Sequence, residues 1–262
     1  MKKTKVIIPA LGLLLLSTAA SVSGTVAWFA MNTTVSATGM LVQAKAEEGI
    51  VISSTANGTY AASVDLQETN AHELYPTSTW NCSDWYHSVS TNPGAANDGQ
   101  AYSAVASADA SQYYVSYSFF IRSSAASAIT VASLNVQSVT VTGATQELSK
   151  ALRVGVVFES DATNPKTAYI YGPVTGATAS YSVHKSDDGN NAHTKAVSAL
   201  AGNTVSNCTG VTSIPANTAA GTQANVYVWF EGEDAACKSD NIVANLENLT
   251  VGVSFTFTRA SN

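Results

Sequence analysis

Residues 248–258, NLTVGVSFTFT, alternate without a break. Leu249, Val251, Val253, Phe255 and Phe257 fall on one side, and Asn248, Thr250, Gly252, Ser254, Thr256 and Thr258 on the other. A period of two marks a strand with one face in a core and one in water, because successive side chains of extended backbone point to opposite faces. Val251, Val253, Phe255 and Phe257 are therefore expected to be buried, with Thr250, Ser254 and Thr256 outward. Residues 112–122, QYYVSYSFFIR, repeat the pattern, with Tyr113, Val115, Tyr117, Phe119 and Ile121 opposite Tyr114, Ser116, Ser118, Phe120 and Arg122. Shorter runs of the same kind lie at 40–46, 50–53, 129–141, 152–158, 168–171 and 225–231.

Between these runs, segments 54–63, 88–111, 160–167, 173–195 and 202–223 are rich in Asn, Asp, Gly, Ser and Pro. These residues favour turns, since Gly admits positive φ and Asx side chains bond their own backbone. Helical periodicity is weak; residues 145–150 and 192–200 are the two short helices expected. No internal repeat or Pro/Gly-rich linker divides the strands into two sets. The pattern predicts an all-β fold: a single jelly-roll-like β-sandwich with long loop insertions, at residues 37–262.

Apolar residues make up 45% of the 262, enough for a core, and charged residues only 11%, against about 25% in an average soluble domain. The net charge is −6, and without Lys2, Lys3 and Lys5 the balance is more acidic still. No basic stripe is present, so no nucleic-acid partner is expected. The apolar content excludes intrinsic disorder, and the scarcity of Glu, Lys, Leu and Arg excludes a long coiled coil.

The basic start MKKTK, the apolar run at 6–16 and the small residues at 17–24 have the layout of a secretory signal peptide. The apolar run is shorter than the ~20 residues of a spanning helix. Residues 1–27 are assigned to this signal, with cleavage between Ala27 and Trp28, since Thr25 and Ala27 are small; Ala19 and Ala20 give earlier alternatives. An uncleaved anchor is the competing reading and the only membrane contact expected. Residues 28–36 then form an N-terminal extension and candidate donor strand for self-assembly, led by Trp28, Phe29, Ala30 and Met31. The protein is expected to be secreted, extracellular or at the cell surface.

The cysteines are Cys82, Cys208 and Cys237. A disulfide between Cys208 and Cys237 is the preferred pairing; Cys82 with Cys208, and three separate buried thiols, are the alternatives. HExxH, GxSxG, the P-loop and a GxGxxG after a strand are all absent, so no catalytic residue is assigned and no enzyme is expected. The segment 184–193, HKSDDGNNAH, gathers His184, Asp187, Asp188, Asn190 and His193, which have the oxygen and imidazole chemistry of Ca²⁺ or zinc ligands. Its spacing departs from the EF-hand, and it reads first as a solvated turn; no metal or cofactor is assigned. Tyr75, Trp80, Trp85, Tyr86 and His87 form an aromatic group. It is read either as a packed lid over one end of the sandwich or as a platform for a cell-surface glycan on Trp80 and Trp85. Sequons occur at Asn32, Asn57, Asn81, Asn207 and Asn248.

The stretch Gly24-Thr-Val-Ala-Trp-Phe-Ala30, followed by Ala37-Thr-Gly-Met-Leu-Val-Gln43 and the closing strand with Phe255 and Phe257, resembles the TasA/camelysin family of secreted matrix proteins, to which archaeal bundling pilins look related. The resemblance implies a jelly-roll sandwich whose freed N-terminal segment pairs as a strand with the next subunit. Camelysins are classed as peptidases, but no catalytic residue carries over. The expected function is a secreted structural subunit of an extracellular filament or biofilm matrix, its partner being further copies of itself. The alternative is a secreted adhesin or carbohydrate-binding β-sandwich.

Overall fold

Alternating apolar residues and Asx- or Gly-rich turns cut the chain into short extended pieces, which the computed structural model assembles into two stacked sheets. It describes residues 35–37, 40–67, 72–88, 102–145, 147–184, 192–200, 205–234, 236–237 and 249–261. The strands in these residues are β1 (Val35–Ala37), β2 (Leu41–Ala46), β3 (Ile50–Ser53), β4 (Ser63–Gln67), β5 (His72–Leu74), β6 (Tyr86–Ser88), β7 (Tyr102–Ala104), β8 (Tyr114–Ser123) and β9 (Ile129–Thr142). They continue with β10 (Leu152–Phe158), β11 (Tyr169–Gly172), β12 (Ser180–His184), β13 (Ala192–Ala196), β14 (Ala199–Leu200), β15 (Ser206–Cys208), β16 (Ser213–Ile214), β17 (Thr222–Phe230) and β18 (Thr250–Arg259). Short 3₁₀ turns occupy Ser107–Gln112 and Glu147–Ala151.

The first sheet has the order β14-β11-β10-β17-β8-β3, and the second β15-β9-β18-β2-β4 with β16 beside β9. Within them, β11-β10-β17-β8 and β15-β9-β18-β2 reproduce the two four-stranded sheets of a jelly roll, the chain crossing repeatedly between layers except at the β10–β11 pair. One pairing departs from it: β2 runs parallel to β18, with Leu41 opposite Thr250. The expected all-β sandwich is the fold this chain adopts.

The core lies between the sheets. Val42, Leu134, Val136, Val251, Val253 and Phe255 from one layer meet Phe119, Ile121, Val154, Val156, Val226 and Val228 from the other, all buried. Each such side chain contributes roughly 1.5–3 kcal/mol relative to exposure. β9 keeps its apolar side inward although its sequence breaks the period of two. Its ladder with β18 slips twice: Ser254 faces Ser138 but Phe255 faces Val136, and Thr258 faces Ser133 but Arg259 faces Val131. Gln137 and Ala132 are the extra, exposed residues of two bulges, which return Leu134 and Val131 to the core side.

Two details of β18 correct the alternation. Thr256 is buried, its hydroxyl donating to the Glu47 carboxylate, which covers the outer face there. Phe257 is only half-buried, because it lies near the rim of the layer, where the Arg259 guanidinium sits 5.4 Å from its ring centroid.

Residues 192–200 form strands β13 and β14, not the expected helix. β13 pairs antiparallel with β12, Lys195 opposite Tyr181, and β14 pairs parallel with β11. Nine residues are too few for a helix to be stable without a buried stripe, whereas neighbouring strands satisfy the backbone at once. Of the helix expected at 145–150, the described part lies in the 3₁₀ turn Glu147–Ala151. The segments read as loops at 173–195 and 202–223 carry β12, β15 and β16 as well.

Candidate functional site

β10 is buried at all seven positions, so both of its faces are covered. The inner face, Val154, Val156 and Phe158, belongs to the main core. The outer face, Arg153, Gly155 and Val157, lies beneath a second layer built from residues 75–88, β7 and the β12–β13 hairpin. Cys82, Trp85, Val157, Ile170, Tyr181 and Trp229 form its buried apolar cluster.

The lid is anchored by a tight turn. Thr79 Oγ1 accepts the Cys82 amide at 2.9 Å, and Asn81 Oδ1 accepts the amides of Ser83 (3.0 Å) and Asp84 (2.8 Å). Cys82 takes a left-handed φ of 56° in this turn, and its thiol rests on Gly155, where a Cβ would collide with it. Trp85 drops into the layer, only 5% exposed, stacked on Tyr114 at 4.0 Å and edge-on to Trp229 at 5.2 Å.

Beneath the lid lies a buried charge network. Arg153 pairs with Asp234, donates from Nη1 to the carbonyls of Lys150 (2.8 Å) and Leu152 (3.0 Å), and from Nη2 to that of Thr178 (3.3 Å). Asp234 also accepts the amides of Thr178 and Ala236. Glu231, fully buried, accepts from the Ser78 hydroxyl, the Trp229 indole (3.1 Å) and the Glu233 amide (3.2 Å). Burial pushes its carboxyl up to about 8, against the opposing pull of Ser78 and Arg153. Glu233 is raised by burial to about 7, with the Tyr102 hydroxyl donating to it at 3.4 Å. The network ties the lid, through Ser78 and Tyr102, to the turn after β17. The sequence does not announce it: Glu231 ends the run 225–231 with no sign of burial, and only the distant lid makes Glu231 and Asp234 interior.

Beside the lid the outer face opens into a groove of about 560 Å³, with Trp85, Tyr114 and Tyr227 as its aromatic wall and Asp84, Glu159 and Lys166 at its rim. Glu159 is ion-paired with Lys166 and accepts from Asn225 Nδ2 at 2.7 Å.

The residues expected to matter fall as follows. Trp85 is inside the lid, so its ring is no open platform. Trp80, half-buried, stacks on His193 at 4.3 Å and on Tyr86 at 5.7 Å. Cys208 and Cys237 are not joined: all three thiols are free and buried. They sit on separate elements, Cys82 against Gly155, Cys208 on β15 and Cys237 after the acidic turn, which corrects the expected disulfide. Burial raises Cys82 to about 12 and Cys237 well above its ordinary value, which keeps both thiols protonated and inert. Ala27, Trp28, Phe29, Ala30 and Met31 lie outside the described residues, as do Asp187, Asp188 and Asn190. Among the described residues no group of three or more His, Cys, Asp or Glu is placed to hold a metal. Compared with family models, curated proteins and solved structures, the chain gives no match.

Proposed function

We propose that this protein is a secreted structural subunit of an extracellular filament or matrix, associating with copies of itself through residues 28–34; Val35 and Ser36 of the expected 28–36 segment pair instead with Leu74 and Glu73 of the same chain. The observation that carries this reading is β1. Val35–Ala37 is already extended and, among the described residues, pairs antiparallel with β5 only and belongs to neither of the two large sheets. In sequence, residues 28–34 lead directly into this strand. An apolar, β-prone segment there suits pairing with the unpaired edge of a neighbour's sheet, where free N–H and C=O groups give directional bonds. Among the described residues β4, five residues long, is such an edge, whereas β3 is partly covered by Ala61, which exchanges both backbone hydrogen bonds with Ile52.

Negative-stain electron microscopy of the chain beginning at Trp28, beside one lacking residues 28–34, tests the proposal. The expected result is filaments from the first and folded, non-polymerising protein from the second. Filaments from both, or monomers from both, would remove residues 28–34 from the mechanism.

A further inference from the structure

We propose that the outer face of the first sheet, along β17 from Gln223 to Tyr227, binds a neutral oligosaccharide. Gln223, Asn225 and Tyr227 point outward at every second residue, a line of ~13 Å at the usual strand rise, long enough for a short oligosaccharide rather than one sugar. All three are half-exposed.

The polar part of this line is organised before any ligand arrives. Ser118 Oγ donates to Asn225 Oδ1 at 2.8 Å, and Gln223 Nε2 donates to Ser118 Oγ at 3.2 Å and to Asn225 Oδ1 at 2.9 Å. Asn225 Nδ2 in turn donates to Glu159. Planar amides and a carboxylate fixed side by side offer adjacent donors and acceptors, which match neighbouring sugar hydroxyls, each of them donor and acceptor at once. Holding them in place beforehand lowers the ordering cost of binding.

The line ends on an aromatic surface. Tyr227 is braced by Tyr114 edge-on at 5.8 Å and by Trp85 at 5.8 Å, and it lines the groove of about 560 Å³. A fixed aromatic face beside hydrogen-bonding groups accommodates a pyranose, whose C–H face is apolar and whose rim is polar. The charge at the rim, Asp84 together with a Glu159 already paired to Lys166, disfavours sulfated or uronic chains. The site is distinct from Trp80, and it requires no assembly, so binding and polymerisation are separable outcomes.

Isothermal titration of the chain beginning at Trp28 with cellohexaose, xylohexaose, mannohexaose and chitohexaose is the test. Saturable binding of at least one is expected, weakened about tenfold or more by Asn225→Ala and by Tyr227→Ala. Asn225→Ala should melt as the parent does, which keeps the comparison valid if Tyr227→Ala folds poorly; Trp80→Ala should bind as the parent does. No saturable binding at millimolar sugar, binding undiminished in Asn225→Ala, or binding of polygalacturonate alone would overturn the proposal.

Discussion

The two faces of strands β10 and β17 are covered in opposite ways. Inward, Val154, Val156, Val226 and Val228 meet the aliphatic side chains of another sheet, and shape alone specifies the fit. Outward, Arg153, Trp229 and Glu231 meet irregular backbone, and the fit is specified by directed contacts: Ser78 on Glu231, Tyr181 donating to the Thr79 carbonyl at 2.8 Å, Cys82 on Gly155. An aliphatic layer tolerates any partner of suitable volume. A layer built on buried charge tolerates only the partner that completes each bond, and leaving one unmade costs more than the bond contributes. The outer layer is therefore the more specific of the two and the more sensitive to solution conditions.

The comparison sharpens first at Phe255. Phe255→Ala empties the centre of the inner layer and should cost ~3–5 kcal/mol, read as a shift of the whole denaturation midpoint by circular dichroism. A small shift would show that the inner layer is not the main source of stability. Next comes Asp234→Ala, which strands a buried guanidinium. Loss of one partner of a buried pair typically costs about 3–5 kcal/mol; the lower end is expected here, because Arg153 keeps three carbonyl acceptors. Lid loss before global unfolding, seen as early change in tryptophan fluorescence, would show that the outer layer opens independently.

The pH dependence should also separate the layers. Glu231, raised to about 8 when folded, holds its proton in the native state over a range where the unfolded chain has lost it. Its contribution is complete below the unfolded carboxylate range near 4.5 and declines as pH rises through 8, at about 1.4 kcal/mol per pH unit in between. The melting temperature should fall from pH 5 to 8, and Glu231→Gln should flatten that slope; an unchanged slope would move its origin elsewhere. Smallest is Trp80→Ala, expected to cost under about 1.5 kcal/mol, since a half-exposed stack contributes little beyond its area. Thiol labelling checks the cysteines: none should react in the native protein, and all three after unfolding without reductant.

The inner layer is legible in the sequence because one face of each strand sees water, so the alternation in β8 and β18 states both the strand and its orientation. β12 and β13, Ser-Tyr-Ser-Val-His and Ala-His-Thr-Lys-Ala, carry too little apolar pattern to announce themselves; pairing and the aromatic layer beneath hold them. Trp80 and Trp85 beside Cys82 do read as a packed lid, yet nothing local distinguishes the buried ring from the half-exposed one. The difference lies in Tyr114 and Trp229, which only the sheet brings near. The row Gln223, Asn225 and Tyr227 is visible as alternation, but its hydrogen bonds to Ser118 and Glu159 depend on strand register.

The parallel pairing of β2 with β18 also bears on when the chain becomes able to fold. β18 is the middle strand of the second sheet, between β9 and β2, and among the described strands it follows all the others in the chain. Until it docks, β2 and β9 have no strand to join them, and Phe119, Ile121 and Val226 lack a complete opposing layer. Contacts so distant in sequence also close slowly, because the entropy of a long loop is lost before they form. A chain of this topology stays open along most of its length until β18 docks, a state in which its apolar faces and strand edges are exposed and prone to aggregate.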